Sequence, residues 1–142
     1  MHEPGKALKV SIYVAEGTMH HGTAASTSLL DFLFYRGVSG ATVLKGVAGF
    51  GPDHHMHTAS LVEVSDRLPV KIEFIETPAK VEELLPKLSE IAGSGMIEVQ
   101  ETTIVKAANT QSKTAEPTIV HHKMEGKAKL LRISRQTFMR AP

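Results

Sequence analysis

Cysteine and tryptophan are both absent from the 142 residues. Without cysteine there is no disulfide, no thiolate nucleophile and no Cys-ligated zinc, a composition that suits a reducing compartment. No apolar run approaches the roughly 20 residues that span a bilayer. The opening MHEPGKALK lacks the apolar core of a secretory signal. The expected setting is therefore the cytoplasm, with no membrane insertion. No Gly-x-Ser-x-Gly elbow occurs, so the commonest serine nucleophile motif is missing as well.

Hydrophobic residues make up 42% and charged residues 22%, the mixture of a globular chain that can build one modest core. The net charge of +1 is unevenly spread. Residues 1–106 carry 9 Lys and Arg against 13 Asp and Glu, a net −4, whereas residues 107–142 carry 7 against 2, a net +5. A basic tail invites a nucleic-acid reading. No aromatic platform accompanies these charges, so the reading preferred here is a solvated tail that contacts its own acidic body.

Leu8, Val10, Ile12 and Val14 alternate with polar or smaller residues, the period of a half-buried strand. Residues 24–36 hold Leu29, Leu30, Phe32, Leu33 and Phe34, which predicts a helix with a wide buried face, ended by Gly37. ATVLKGVA, from Ala41, predicts a second strand, and LVEVS, from Leu61, a short strand in an arm. Val70, Ile72 and Phe74 mark the next strand. Thr77 can cap a helix whose first turn accepts Pro78. Val81, Leu84, Leu85, Leu88 and Ile91 follow helical spacing; Pro86 should kink that helix, and Gly93 and Gly95 should stop it. MIEVQETTIV is the last clear strand. The order βαββαβ predicts an α+β, ferredoxin-like sandwich: a four-stranded antiparallel sheet with two helices on one face. Its other face lacks a cover, and burial against copies of the same chain would supply one.

The stretch GVAGFGPDHHMHTA, residues 46–59, is the least ordinary. His55 and His57, two apart, would point the same way on an extended segment, and with His54 they form a candidate site for zinc, nickel or copper. His20 and His21 could add ligands if the first loop comes near. His55 with Asp53 or Glu63 forms an acid–histidine pair, but such pairs arise readily by chance, and the expectation is that the chain is not an enzyme.

HGTAASTSLLDFLFYRGVSGATVLKGVAGFG, with LPVKIEFIE further on, resembles the family of domain of unknown function 190 over about residues 6–106. That family is regarded as PII-like. The resemblance implies a homotrimer that binds an adenine nucleotide in clefts between subunits. It also implies a loop, here about Pro52 to Arg67, that changes shape with ligand and docks on a partner protein such as a transporter or an enzyme. Gly49, Phe50 and Gly51 match the Gly-Phe-Gly at the base of the PII loop, and Gly46 and His55 adjoin them. Glycines allow backbone N–H groups to approach phosphate oxygens. The departures from PII matter. Pro52 and Asp53 stand where PII proteins carry an Arg and a Gln. Val70 takes the place of a lysine, with Lys71 one position later. The phosphate loop shrinks to AGSGMI, without a lysine. The expected effector therefore has few phosphates (AMP or ADP) or is a cyclic nucleotide. The rival expectation is a metal-binding trimer built on the loop histidines, by analogy with the divalent-cation-tolerance proteins.

Gly126-Lys127-Ala128 repeats Gly5-Lys6-Ala7 and is followed by the apolar-rich LLRI. Residues 126–142 thus read as a partial repeat of the first strand, residues 107–125 as a linker, and residues 1–106 as the PII-like domain. A lone strand does not fold by itself, so residues 126–134 should pair with a sheet edge or stay mobile.

Overall fold

The computed structural model describes residues 3–59, 67–108, 119–125 and 129–136. The chain divides into two compact units, Met1–Ala108 and Asn109–Pro142.

In the first unit the alternating segment becomes β1, Gly5–Ala15. It is followed by α1, Ala25–Tyr35, and β2, Ala41–Lys45. Then come β3, Pro69–Glu76, α2, Pro78–Ala92, and β4, Met96–Ile104. The sheet order is β2-β3-β1-β4, with every neighbouring pair antiparallel. This is the expected ferredoxin-like arrangement, with the two most apolar strands at its centre.

Period two decides the faces. Val10, Ile12 and Val14 of β1 register with Phe74, Ile72 and Val70 of β3, and all six are buried. Leu29 and Leu33 of α1 and Val81, Leu84, Leu88 and Ile91 of α2 close over them in one cluster. The α2 positions fall on one stripe because i, i+3, i+4 and i+7 share a helix face. α1 differs from its expectation. Leu29 and Leu33 are buried, but Leu30, Phe34 and Tyr35 are exposed. The apolar crowding therefore wraps around the helix, and the sheet buries only one side of it.

Local chemistry sets the helix ends. Thr77 Oγ1 accepts from the Lys80 N–H at 3.3 Å, as a capping threonine does. α1 has no side-chain cap; the Thr18 carbonyl instead accepts the Ala25 N–H at 2.8 Å. Pro86 lies inside α2, which runs through it to Ala92. Pro86 has no N–H to donate to the preceding turn, so the helix continues with one backbone hydrogen bond fewer.

The odd-numbered face of the central strands carries polar groups. Ser11, Lys9 and Lys71 surround Glu73: the Ser11 hydroxyl donates to its carboxylate at 3.3 Å, and Lys71 Nζ sits 2.6 Å away. The Lys71 bond, with help from Lys9, holds the Glu73 carboxyl below its usual value. Lys71 is raised in turn, chiefly by its bond to Glu73. Leu44 and Met96 flank this patch along the Lys71–Tyr13 row and are exposed.

Glu76 breaks the apolar run of β3, since it is buried on the same face as Phe74. Its carboxylate accepts the Ser39 N–H at 2.9 Å, the Ser39 hydroxyl at 3.1 Å and the Thr77 N–H at 3.2 Å. One buried acid thus ties the α1–β2 turn to the start of α2. Glu76→Ala would leave a part-buried N–H unpaired and should cost about 2 kcal/mol. Urea unfolding should show a lower midpoint with an unchanged slope. A loss indistinguishable from zero would show that Ser39 finds water instead.

In the second unit β5, Ile119–Glu125, pairs antiparallel with β6, Lys129–Gln136, and the register shifts between Arg132 and Arg135. β5 lies within the segment read as linker. The strand resembling β1 therefore pairs with its own predecessor in sequence, as a hairpin does. Residues 126–128 and the LVEVS segment lie outside the described residues.

Candidate functional site

β2 ends at Lys45, and the chain then turns sharply beside the start of β3. Gly46 donates its N–H to the Pro69 carbonyl at 2.7 Å, and Ala59 donates to the Val47 carbonyl at 2.8 Å. Ala48 and Gly49 pair with Thr58 and His57 in a two-residue ladder. The returning strand is held from the other side, where the Glu16 N–H donates to the Leu68 carbonyl at 2.9 Å, and the Glu16 carboxylate pairs with Lys45. The loop that follows β2 therefore starts from a hairpin base held by backbone hydrogen bonds.

The glycines of this base have two different jobs. A Cβ on Gly46 would sit 2.7 Å from Pro69 Cγ, and one on Gly49 would sit 2.8 Å from the same atom. Both are glycine because the bend packs against the Pro69 ring. Gly51 meets nothing within 4 Å. The backbone of Gly46 is thus committed inside the fold, whereas Gly51 and the exposed Phe50 face outward.

Beyond them the chain folds on itself. His54 donates its N–H to the Gly51 carbonyl at 3.0 Å, has φ of 53°, and stacks its ring on Phe50 with centroids 5.8 Å apart. The Asp53 carboxylate accepts the N–H of His55, two residues on, at 3.2 Å. Its Oδ2 lies 3.7 Å from both His55 Nδ1 and His57 Nε2. The His55 N–H, together with the His57 side chain, holds the Asp53 carboxyl below its ordinary value. His54, which the metal expectation groups with His55 and His57, turns its ring onto Phe50 instead. Glu63, the other acid expected near His55, lies outside the described residues.

The two faces of β3 decide the cation question. Val70 is buried under the helices, so Lys71 is on the opposite face and bonded to Glu73. A shift of one residue along a strand moves a side chain to the other face, and Lys71 is thereby engaged away from the Val70 face. A separate open groove of about 380 Å³ lies at the far end of β2, lined by Gly40–Thr42, Glu73–Ile75, Ile104 and Lys106–Ala108.

Sequence reasoning found the bend but not its partner. Pro69 is the signal that could have been used, because glycines spaced three apart opposite a proline ring point to close packing. The sequence offers His20 and His21 only as additions to the loop histidines. In the fold the acid they meet is Glu90, with His20 Nε2 3.7 Å from Glu90 Oε1.

Comparison with known proteins bears on the family and the fold. The family model for domain of unknown function 190, described as uncharacterized ACR, matches residues 7–104. A UPF0166 protein of Methanocaldococcus jannaschii is 32% identical over 102 residues, covering 71% of this chain and 94% of the relative. A UPF0166 protein of Aquifex aeolicus is 28% identical over 102 residues, covering 70% and 94%. Among solved structures, CPII, a nitrogen regulatory PII-like protein from Thiomonas intermedia K12 bound to ADP, AMP and bicarbonate, superposes with a TM-score of 0.51 at 19% identity, covering 73% of this chain and 92% of that one. A putative PII-like signaling protein from Thermus thermophilus gives 0.53 at 15% identity, covering 73% and 94%. These likenesses establish a PII-like fold.

Proposed function

Because this chain belongs to the family of domain of unknown function 190, we propose that it is a PII-like regulatory protein, assembled as a trimer, that binds an adenine nucleotide with few phosphates beside Phe50 and Gly51. The loop from Pro52 to Arg67 then signals occupancy to a partner protein. The observation that carries this reading is the base of the loop after β2. It is pinned to Pro69 on one side and presents an unobstructed Gly51 and an exposed aromatic ring on the other. CPII, which shares the fold, is described with ADP and AMP.

The preference for few phosphates follows from charge. Pro52 and Asp53 are the residues next to Gly51, and Asp53 is an anion held ionised by its neighbours. Lys71 is engaged by Glu73 on the other side of β3. A triphosphate at this bend would lack the cations that normally offset its charge. An open sheet face with exposed Leu44 and Met96 gives a second copy something to cover, which supports assembly.

Isothermal titration with AMP, ADP, ATP and cyclic AMP tests the reading. AMP or ADP should bind more tightly than ATP. Gly51→Glu places a carboxylate where a Cβ is free, so it should weaken binding at least about tenfold with an unchanged melting temperature. Gly49→Val is a poor probe, because its clash with Pro69 would deform the base of the loop itself. No heat with any adenine nucleotide, or binding indifferent to both Gly51→Glu and Phe50→Ala, would refute the site. A strictly monomeric protein by native mass spectrometry would refute the intersubunit cleft.

A further inference from the structure

On the first unit, before α1, Met19–His20 pairs with Thr23–Ala24 across a two-residue turn. The turn residues His21 and Gly22 have φ of 47° and 80°. Two positive φ values in succession are the signature of the tight hairpin turn that suits twisted strands. Glycine is at ease there; histidine is not, and its left-handed backbone costs on the order of 1 kcal/mol. This turn brings the His20 and His21 rings edge to face, 4.2 Å between centroids.

The end of α2 meets them. Glu90 Oε1 lies 3.7 Å from His20 Nε2, and one donor atom from each of His20, His21 and Glu90 lies within 4.8 Å of the others. His20 Nε2 is buried and makes no hydrogen bond among the described residues. A buried ring nitrogen at that distance from a carboxylate is a polar atom still in need of a partner.

We propose that His20, His21 and Glu90 form a binding site for a divalent first-row transition-metal ion, with zinc as the reference ion. Two imidazoles and one carboxylate are a donor set that zinc accepts while keeping a fourth position for water or another ligand. Magnesium and calcium require oxygen donors and do not suit it. With metal–ligand bonds of about 2.0–2.1 Å, tetrahedral donors stand roughly 3.3 Å apart, so side-chain rotation has only a short gap to close. Lys87 Nζ contacts both Glu90 oxygens at 3.0 Å. The ion therefore takes Oε1 alone while Lys87 keeps Oε2, and the carboxylate binds through one oxygen. This site does not depend on the nucleotide reading, and it differs from the loop set His54, His55 and His57.

Titration of the full chain with zinc chloride, without nucleotide, tests the site. The expected result is one zinc per chain, with affinity reduced at least about tenfold by each of His20→Ala, His21→Asn and Glu90→Gln. Asn tolerates the left-handed turn, so a loss in His21→Asn is a lost ligand and not a lost hairpin. Melting of each variant without metal should match the parent. The assignment is overturned if the parent shows no saturable zinc binding, if His21→Asn and Glu90→Gln bind as the parent does, or if binding is lost instead with His54, His55 and His57 replaced together.

Discussion

Leu84→Ala should remove about 3–4 kcal/mol of stability. Leu84 is fully buried in the cluster formed by β1, β3 and both helices. Truncation forfeits the transfer energy of the lost methyl and methylene groups and leaves a cavity between a helix and a sheet, which cannot readily collapse. The neighbouring Leu85 is only partly buried and packs at the margin of the cluster, so Leu85→Ala should cost about 1 kcal/mol. For a unit of this size the Leu84 change should lower the melting temperature by roughly 12–18 °C. Equal effects of the two substitutions would mean that the stripe of α2 facing the sheet has been misassigned by one position.

Gly95→Ala is expected to be about as severe, for a different reason. A Cβ there would sit 2.5 Å from the Tyr13 carbonyl oxygen, 2.8 Å from Val14 Cγ1 and 3.1 Å from the Ala92 carbonyl oxygen. Two of these three atoms are backbone, so relief requires the α2–β4 turn to move away from β1. Overpacking of this kind costs about 3 kcal/mol. Gly93, two residues earlier, has φ of 57° and open space around it. Gly93→Ala meets no clash and pays only for left-handed backbone, about 1 kcal/mol. Paired melting curves should therefore rank Gly95→Ala well below Gly93→Ala. The reverse order would mean that the turn does not pack on Tyr13.

Much of the fold was legible because its signals are local. The alternation in β1 and β3, the Thr77-Pro78 start of α2 and its stripe of Val81, Leu84, Leu88 and Ile91 each act within one or two turns of chain. The family resemblance located the bend at Gly49–Gly51 for the same reason: a short motif lies between two strands. Legibility failed where one element had to be compared with another. In α1 the run of Leu29, Leu30, Phe32, Leu33 and Phe34 does not say which side faces the sheet. In the tail, IVHHKME looked like linker because its strand character appears only once it is paired with β6. Gly93 and Gly95 read as two equal helix stops, yet one serves a backbone angle and the other a contact with β1.

Residue order alone determined the order of the four sheet strands and two helices of the first unit, the face on which each alternating side chain falls, and hence that Val70 is buried while Lys71 is not. These follow from backbone geometry with periods of 2 and 3.6, which no distant segment is needed to define. Folding in three dimensions decided the rest: that Gly46 and Gly49 yield to Pro69, that Gly95 lies against Tyr13, and that His20 and His21 meet Glu90. Each of these pairs residues 20 to 82 positions apart, and their contact depends on how sheet and helices pack, a cooperative outcome that no local pattern encodes.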